Sequence, residues 1–282
     1  MSEFALPGWN VLLMGPSGTG KTYSIGTLVD TGIEVFFLAL EAGMESLLGY
    51  WTDKNLPIPD NLHWHYLPAP KASFTEMIAS ATAINTLSLD SLAKMADPNK
   101  SKHNRFIGLL QALNNFPDDR TGKTYGPVDQ WDQTRVLVID GATGLSDCAM
   151  SLVIGGKAVR AQSDWGIAQG QVERILRMLC DNCQCHFVLI AHVERETDPV
   201  LGGTKLMIST LGKALAPKIP AMFSDVILTE RLGDKWRWNT ASPMADVKSR
   251  NLPIREENPP IFASITDKWT SRNSSQETDG LK

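Results

Sequence analysis

The chain has 282 residues, of which 43% are hydrophobic and 21% charged, so a sizeable core can be buried and wholesale disorder is excluded. A net charge of −4 and a pI near 5.8 exclude a protein that coats nucleic acid by bulk charge; any such surface must be a local patch. The four cysteines form no paired framework, the N-terminus lacks the basic and apolar regions of a secretory leader, and no apolar run is long enough to span a bilayer. A cytoplasmic protein with no membrane partner is expected.

Parallel strands covered on both faces lose apolar–polar alternation and read as short apolar runs. Such runs stand at 11–14, 34–40, 135–139, 187–191 and 225–229. A helix over 21–29 follows the first of them. Ser73-Phe74-Thr75-Glu76 is a capping box that opens a helix to about residue 84. The stretch 55–131 is rich in Pro, Asn, Asp and Ser and is too long for a usual crossover, which predicts a partly helical insertion with loops at 56–70 and 115–131. Within it, His63-Trp64-His65-Tyr66 could stack on bases but reads better as a buried strand. Over 164–181, Ile167, Val172, Ile175, Leu176 and Leu179 fall on one face of an amphipathic helix. Antiparallel strands are expected at 235–239 and 246–250, and a polar, disordered tail at 266–282. The alternation of strands and helices predicts an α/β domain over 1–265, with a mostly parallel sheet, helices on both faces and antiparallel strands at the C-terminal edge.

Gly15, Pro16, Ser17, Gly18, Thr19, Gly20, Lys21 and Thr22 match the phosphate-loop pattern G-x-x-x-x-G-K-[ST], with an apolar strand before and a helix after. The glycines let successive backbone N–H groups face phosphate oxygens, and the helix adds its positive N-terminal end. Lys21 is expected to reach the β and γ phosphates of ATP, and the Thr22 hydroxyl to hold Mg²⁺. Thr121-Gly122-Lys123-Thr124 lacks the first glycine and a preceding strand, so it reads as an ordinary turn. Val136-Leu137-Val138-Ile139 leads into Asp140, a strand-end acid of the Walker B kind that would serve the same Mg²⁺. Gly141 follows where many AAA+ ATPases carry a glutamate, so the base that activates water must come from elsewhere. Glu41, closing the apolar run at 34–40, is the candidate, read as the tip of the strand beside the phosphate-loop strand.

These residues together resemble the RecA recombinase core. That family has a strand ending in a catalytic glutamate, here Leu40-Glu41-Ala42, and a Walker B aspartate before a small residue, here Asp140-Gly141. The resemblance places a sensor at His192, where the family typically has glutamine, and a DNA loop after it over 193–205 with Arg195 and Lys205. It places another DNA loop at 151–163, with Lys157 and Arg160, and a basic strand end at Lys248 and Arg250 that would reach a neighbour's γ-phosphate. Tyr50 would stack on adenine. Phe116-Pro117-Asp118-Asp119-Arg120, His192 to Glu196, Leu211 to Pro220 and Phe223 to Val226 look like phage-encoded RecA-like ATPases, some of them single-strand annealing proteins. The partners thereby implied are single-stranded DNA, further copies of the chain in a filament or ring, and a single-strand-binding protein.

Other readings compete. An AAA+ loader or packaging motor is disfavoured by Gly141 and by the lack of a clear helical lid; a regulatory ATPase with a protein partner is favoured slightly by the acidic pI. Cys180, Cys183, Cys185 and His186 are zinc-ligand types, but they sit where a helix runs into a buried strand, so packed thiols are the better reading.

Overall fold

The computed structural model describes residues 7–69, 73–88, 90–91, 104–155, 157, 160–197 and 202–279. Its first elements are β1 (Asn10–Met14), α1 (Lys21–Val29), β2 (Glu34–Ala39), α2 (Met44–Thr52), β3 (Leu62–Tyr66), α3 (Phe74–Thr86) and α4 (Arg105–Asn114). Then come β4 (Arg135–Asp140), α5 (Ala142–Ile154), α6 (Gln162–Arg177), β5 (His186–Ala191), β6 (Val193–Thr197) and β7 (Thr204–Ile208). The chain closes with α7 (Gly212–Leu215), α8 (Ile219–Met222), β8 (Asp225–Leu232), β9 (Lys235–Asn239) and α9 (Ala263–Asp279).

The main sheet has seven strands in the order β3-β2-β4-β5-β1-β8-β9, parallel throughout except for the antiparallel β8–β9 hairpin. With residues 15–20 joining β1 to α1, this is an α/β fold whose phosphate loop leaves a central strand of the sheet. Side chains alternate between its faces, and each face carries its own apolar cluster. One contains Leu12, Phe36, Leu137 and Phe187 under α4 to α6; the other contains Val11, Phe37, Val138 and Ile227 under α1, α2 and α9.

Several expectations are corrected. Glu41 does not follow a strand beside the phosphate-loop strand, because β5 and β4 stand between β1 and β2. The segment 246–250 is not a strand; it meets β8 through the bridge of Lys248 to Val226 and through Ser249 and Arg250, which donate to Asp225. The tail expected to be disordered from 266 is helical as far as Asp279, because Ile265 is buried and Arg272 donates to Asn251 Oδ1 and to the Arg250 carbonyl. The 193–205 loop is instead the antiparallel hairpin β6–β7, with 198–201 outside the described residues.

The insertion expected at 55–131 contributes a strand of the main sheet. β3, the aromatic run around Trp64, pairs in parallel with β2 and forms the sheet's edge. The Asp118-Asp119-Arg120 segment closes that edge, where unpaired backbone would otherwise be exposed. Asp118 is 1% exposed; it accepts from Thr121 Oγ1 at 2.6 Å and the Arg120 amide at 3.0 Å, and pairs with His63 Nδ1 at 3.1 Å. Asp119 accepts from the Tyr66 amide at 2.8 Å, and the Arg120 guanidinium donates to the Pro59 carbonyl at 2.6 Å and the Ile58 carbonyl at 3.1 Å. Thr121 to Thr124 is the turn beyond, with Gly122 at φ 71°.

Asp118→Ala would strand these donors. It is expected to cost about 2–4 kcal/mol, a fall of roughly 5–12 °C in Tm for a domain of this size. A thermal melt monitored by circular dichroism checks it.

Candidate nucleotide site

The phosphate loop leaves β1 and enters α1 through Gly20, whose φ of 76° matches that of Gly18; both lie in the left-handed region that glycine tolerates. The loop is pinned from behind: Thr19 Oγ1 is 2.7 Å from Thr229 Oγ1 on β8 and donates to the Pro16 carbonyl at 2.8 Å. Gly15 has no room for a side chain there, since a Cβ would stand 2.2 Å from Thr229 Oγ1. The Lys21 ammonium is folded back into the loop and donates to the Gly15 and Pro16 carbonyls at 2.8 and 2.7 Å. Burial depresses its pKa to about 8, against the raising effect of Asp140 and Glu41.

The strand order brings the two acids to this loop. Asp140 ends β4, and its Oδ2 accepts from Thr22 Oγ1 at 3.2 Å. Burial pushes its pKa up to about 7; the Thr22 hydrogen bond opposes that, Glu41 adds to it and Lys21 opposes it again. Gly43 makes room for this carboxylate, because a Cβ there would lie 2.2 Å from Asp140 Oδ2. Glu41 stands just past the end of β2, next to β4, and its Oε1 accepts from the Gly144 amide at 2.9 Å. Gly141, at φ 118°, explains why no acid follows Asp140: a Cβ at that position would be 2.7 Å from Glu41 Cγ. A side chain at 141 would require the Glu41 side chain to shift. His192, immediately after β5, presents Nε2 at 3.7 Å from Glu41 Oε2. Its pKa is depressed by burial and by Lys21, against Glu41, so it is a neutral neighbour at pH 7. Its carbonyl accepts from the Ser209 amide at 2.8 Å, which ties it to the end of the β6–β7 hairpin.

Ser17 to Thr22, Glu41, Asp140 and His192 line one pocket, together with Tyr23, Ala42, Gly43, Ser46, Ile190 and Trp236. Tyr50 is not among these residues. It lies between α1 and α2, where its hydroxyl donates to Asp30 Oδ2 and its ring presses on Gly26. Tyr23 and Trp236, absent from the sequence expectations, stand at the loop instead. The β8–β9 hairpin carries Trp236 back onto it, and no local pattern around residue 236 announces that approach.

The remaining predicted residues lie elsewhere. Lys157 pairs with Asp164 at 3.3 Å, and Arg160 lies over the Trp165 ring at 5.8 Å; with α5 reaching Ile154 and α6 starting at Gln162, little of the expected 151–163 loop is left. Lys205 pairs with Asp246 at 2.6 Å, and Arg195 is exposed on β6. Lys248 is bonded beside Val226, and the Arg250 amide donates to Asp225 Oδ1 at 2.8 Å. Both sit toward the start of β8, remote from the Thr229 end that meets their own phosphate loop. Cys180, Cys183 and Cys185 are buried, and among the described residues no three or more His, Cys, Asp or Glu side chains converge as a metal site.

A family profile described as an AAA domain matches residues 7–250. The chain belongs to the AAA domain family. It is an ATP-binding P-loop ATPase of the AAA type, and within that broad family its acid pair sits at the tips of β2 and β4. No curated protein sequence matches the chain. Among solved structures, the flagellar accessory protein FlaH from Methanocaldococcus jannaschii is similar over 82% of this chain and 76% of its own, at 12% identity and a TM-score of 0.32. The assembled ATPase EscN of the enteropathogenic E. coli type III secretion system, in complex with its central stalk EscO, is similar over 97% of this chain and 54% of its own, at 13% identity and a TM-score of 0.40. The chain thus spans about half of EscN's length. Among the described residues, no helix is long and apolar enough to cross a membrane.

The donor set fits a magnesium nucleotide. A buried ammonium and the amides at an α-helix N-terminus suit phosphate oxygens, and a hydroxyl beside a buried carboxylate suits a hard divalent cation. Without the cation, a buried acid whose pKa is raised destabilises the fold increasingly as pH climbs from about 4 to about 7, and that cost is complete above it. Asp140→Asn removes the cost. In EDTA and without nucleotide, its Tm is expected to exceed the wild type's by roughly 3–8 °C at pH 8, and the difference should close as pH falls toward 4. A pH series of thermal melts reads this directly.

Proposed function

We propose that the chain hydrolyses ATP with Glu41 as the general base and couples that hydrolysis to single-stranded DNA, in phage recombination or strand annealing. The observation that carries the reading is the convergence of Lys21, Asp140, Glu41 and His192 in one pocket. Mg²⁺, held by Thr22 Oγ and Asp140, would neutralise charge on the phosphates when bound. The chain's own residues do the rest. Lys21 and the loop amides hold the phosphate oxygens. Glu41 Oε2, on the side away from the Gly144 amide, accepts a proton from water at the γ-phosphate. His192, neutral and next to that carboxylate, passes the state of the site to the β6–β7 hairpin through the backbone it shares with β6.

Arg195 on β6, Lys205 on β7, and Lys157 and Arg160 between α5 and α6 are assigned to the DNA phosphates. For Lys157 and Lys205, the carboxylates that now pair with them would have to be exchanged for phosphate. Lys248 and Arg250 sit toward the other end of β8 from their own loop, so a role at a γ-phosphate requires a neighbouring copy in a filament or ring. A single-strand-binding protein is a further proposed partner. A regulatory ATPase with a protein partner is the second reading, and α3 favours it: Phe74, Met77, Ile78 and Ile84 are 84%, 55%, 66% and 60% exposed along one helix.

Glu41→Gln is expected to lower kcat by roughly 10²-fold or more while leaving the Kd for ATP within about twofold, since the loop that grips the phosphates is untouched. Steady-state ATPase assays and calorimetry give the two numbers, and an intact rate removes Glu41 as base. For the DNA assignment, fluorescence anisotropy with a labelled oligonucleotide should show ATP-dependent binding that weakens steeply with salt. No binding at low salt, with or without ATP, would leave the protein-partner reading.

A further inference from the structure

Glu41, Asp140 and His192 lie on the β4–β5 side of β1, where the proposed chemistry puts the γ-phosphate, which leaves the other side of the loop, over Gly18 and Gly20 toward β8 and β9, for the nucleoside. Two rings stand there. The Trp236 indole abuts Gly20 so closely that a Cβ at that glycine would lie 2.6 Å from its Cδ2 atom. Its Nε1–H donates to the Gly18 carbonyl at 3.1 Å, which fixes the plane of the ring, and 36% of the residue remains exposed. The Tyr23 ring, one residue past the phosphate loop, meets the indole at a centroid distance of 5.0 Å and 57°. Tyr23 is supported from behind by Tyr50 at 5.0 Å.

We infer that Trp236, braced by Tyr23, is the platform on which the base of the bound nucleotide stacks, and that the site takes purine nucleoside triphosphates with little choice between adenine and guanine. This rests on the reading that the loop holds a triphosphate. An indole face suits any base with a large π surface, and purines offer more of it than pyrimidines. Telling adenine from guanine would require side chains that hydrogen-bond the base edge, and discrimination falls to small factors where they are missing. The pocket lining contains no Asn or Gln among the described residues, its acids, Glu41 and Asp140, are on the flank away from Trp236, and the hydroxyls of Ser17, Ser46 and Tyr23 can donate or accept and so serve either purine edge. The indole N–H is already committed to Gly18 and does not read the base.

The test compares the full chain with Trp236→Ala and Trp236→Phe by calorimetry, using the magnesium complexes of ATP, GTP, CTP and inorganic triphosphate. For the wild type, ATP and GTP are expected within about fivefold of each other and CTP weaker. Trp236→Ala should weaken ATP and GTP by roughly 5- to 150-fold, the range measured for losing one base–aromatic stack, and leave triphosphate within about twofold. Trp236→Phe, which keeps a ring but no N–H, should recover most of the loss. Equal weakening of ATP and triphosphate would make Trp236 a prop for the loop rather than a platform and overturn the inference. So would unchanged ATP binding in Trp236→Ala, or a preference between ATP and GTP above a hundredfold. If the wild type binds neither ATP nor triphosphate, the phosphate-loop reading fails as well; if it binds triphosphate as tightly as ATP, only the platform fails.

Discussion

A charged amine and a carboxylate are buried together at one end of a parallel sheet, and the arrangement of the site follows from that. Lys21 and Asp140 are 6% and 5% exposed, and burial works against the charge of each. Neither is satisfied by the other directly. The ammonium donates to loop carbonyls and the carboxylate accepts from Thr22, so the pair is held apart in geometries that phosphate and a divalent cation can take over. A fold that tolerates this strain locally has to be firm around it, and the parallel core beneath is almost wholly apolar.

Space governs the acids as much as charge does. Three glycines, Gly43, Gly141 and Gly144, sit where Cβ atoms would strike Asp140, Glu41 and Leu40. They allow the tips of β2 and β4 to approach closely enough for both carboxylates to face one loop. Arg105, at the start of α4, secures this corner by donating to the carbonyls of Leu40 and Leu67. The insertion therefore reaches the residue next to Glu41, which links the outer strand β3 mechanically to the flank that carries Glu41. On the other flank, the β8–β9 hairpin sets an indole against the loop, so the site is framed by elements far apart in sequence.

The segment Phe116 to Arg120 illustrates how a motif-like string can be structural. Its acids are occupied by the backbone and histidines of β3 and its arginine by the carbonyls just before that strand, where they cover a sheet edge and hold the insertion in place. The exposed face of α3, on the same insertion, has no such cover among the described residues, and its 13 residues include none that is buried.

The sequence by itself determined the phosphate loop, the strand-end acid Asp140, the parallel strands and the boundaries of α1 and β9, because these depend on local spacing: glycines for turns, apolar runs for doubly covered strands, Lys and Thr at fixed offsets. It also pointed to Glu41, although for a mistaken neighbour. What only the tertiary structure decided is which strands lie side by side, that 62–66 joins the sheet, that 193–208 folds as a hairpin, and that Trp236 rather than Tyr50 stands at the loop. The reason is one of range. Strand order and the approach of a hairpin to a distant loop are fixed by packing between segments that share no local pattern, whereas a phosphate loop is complete within eight consecutive residues from Gly15 to Thr22.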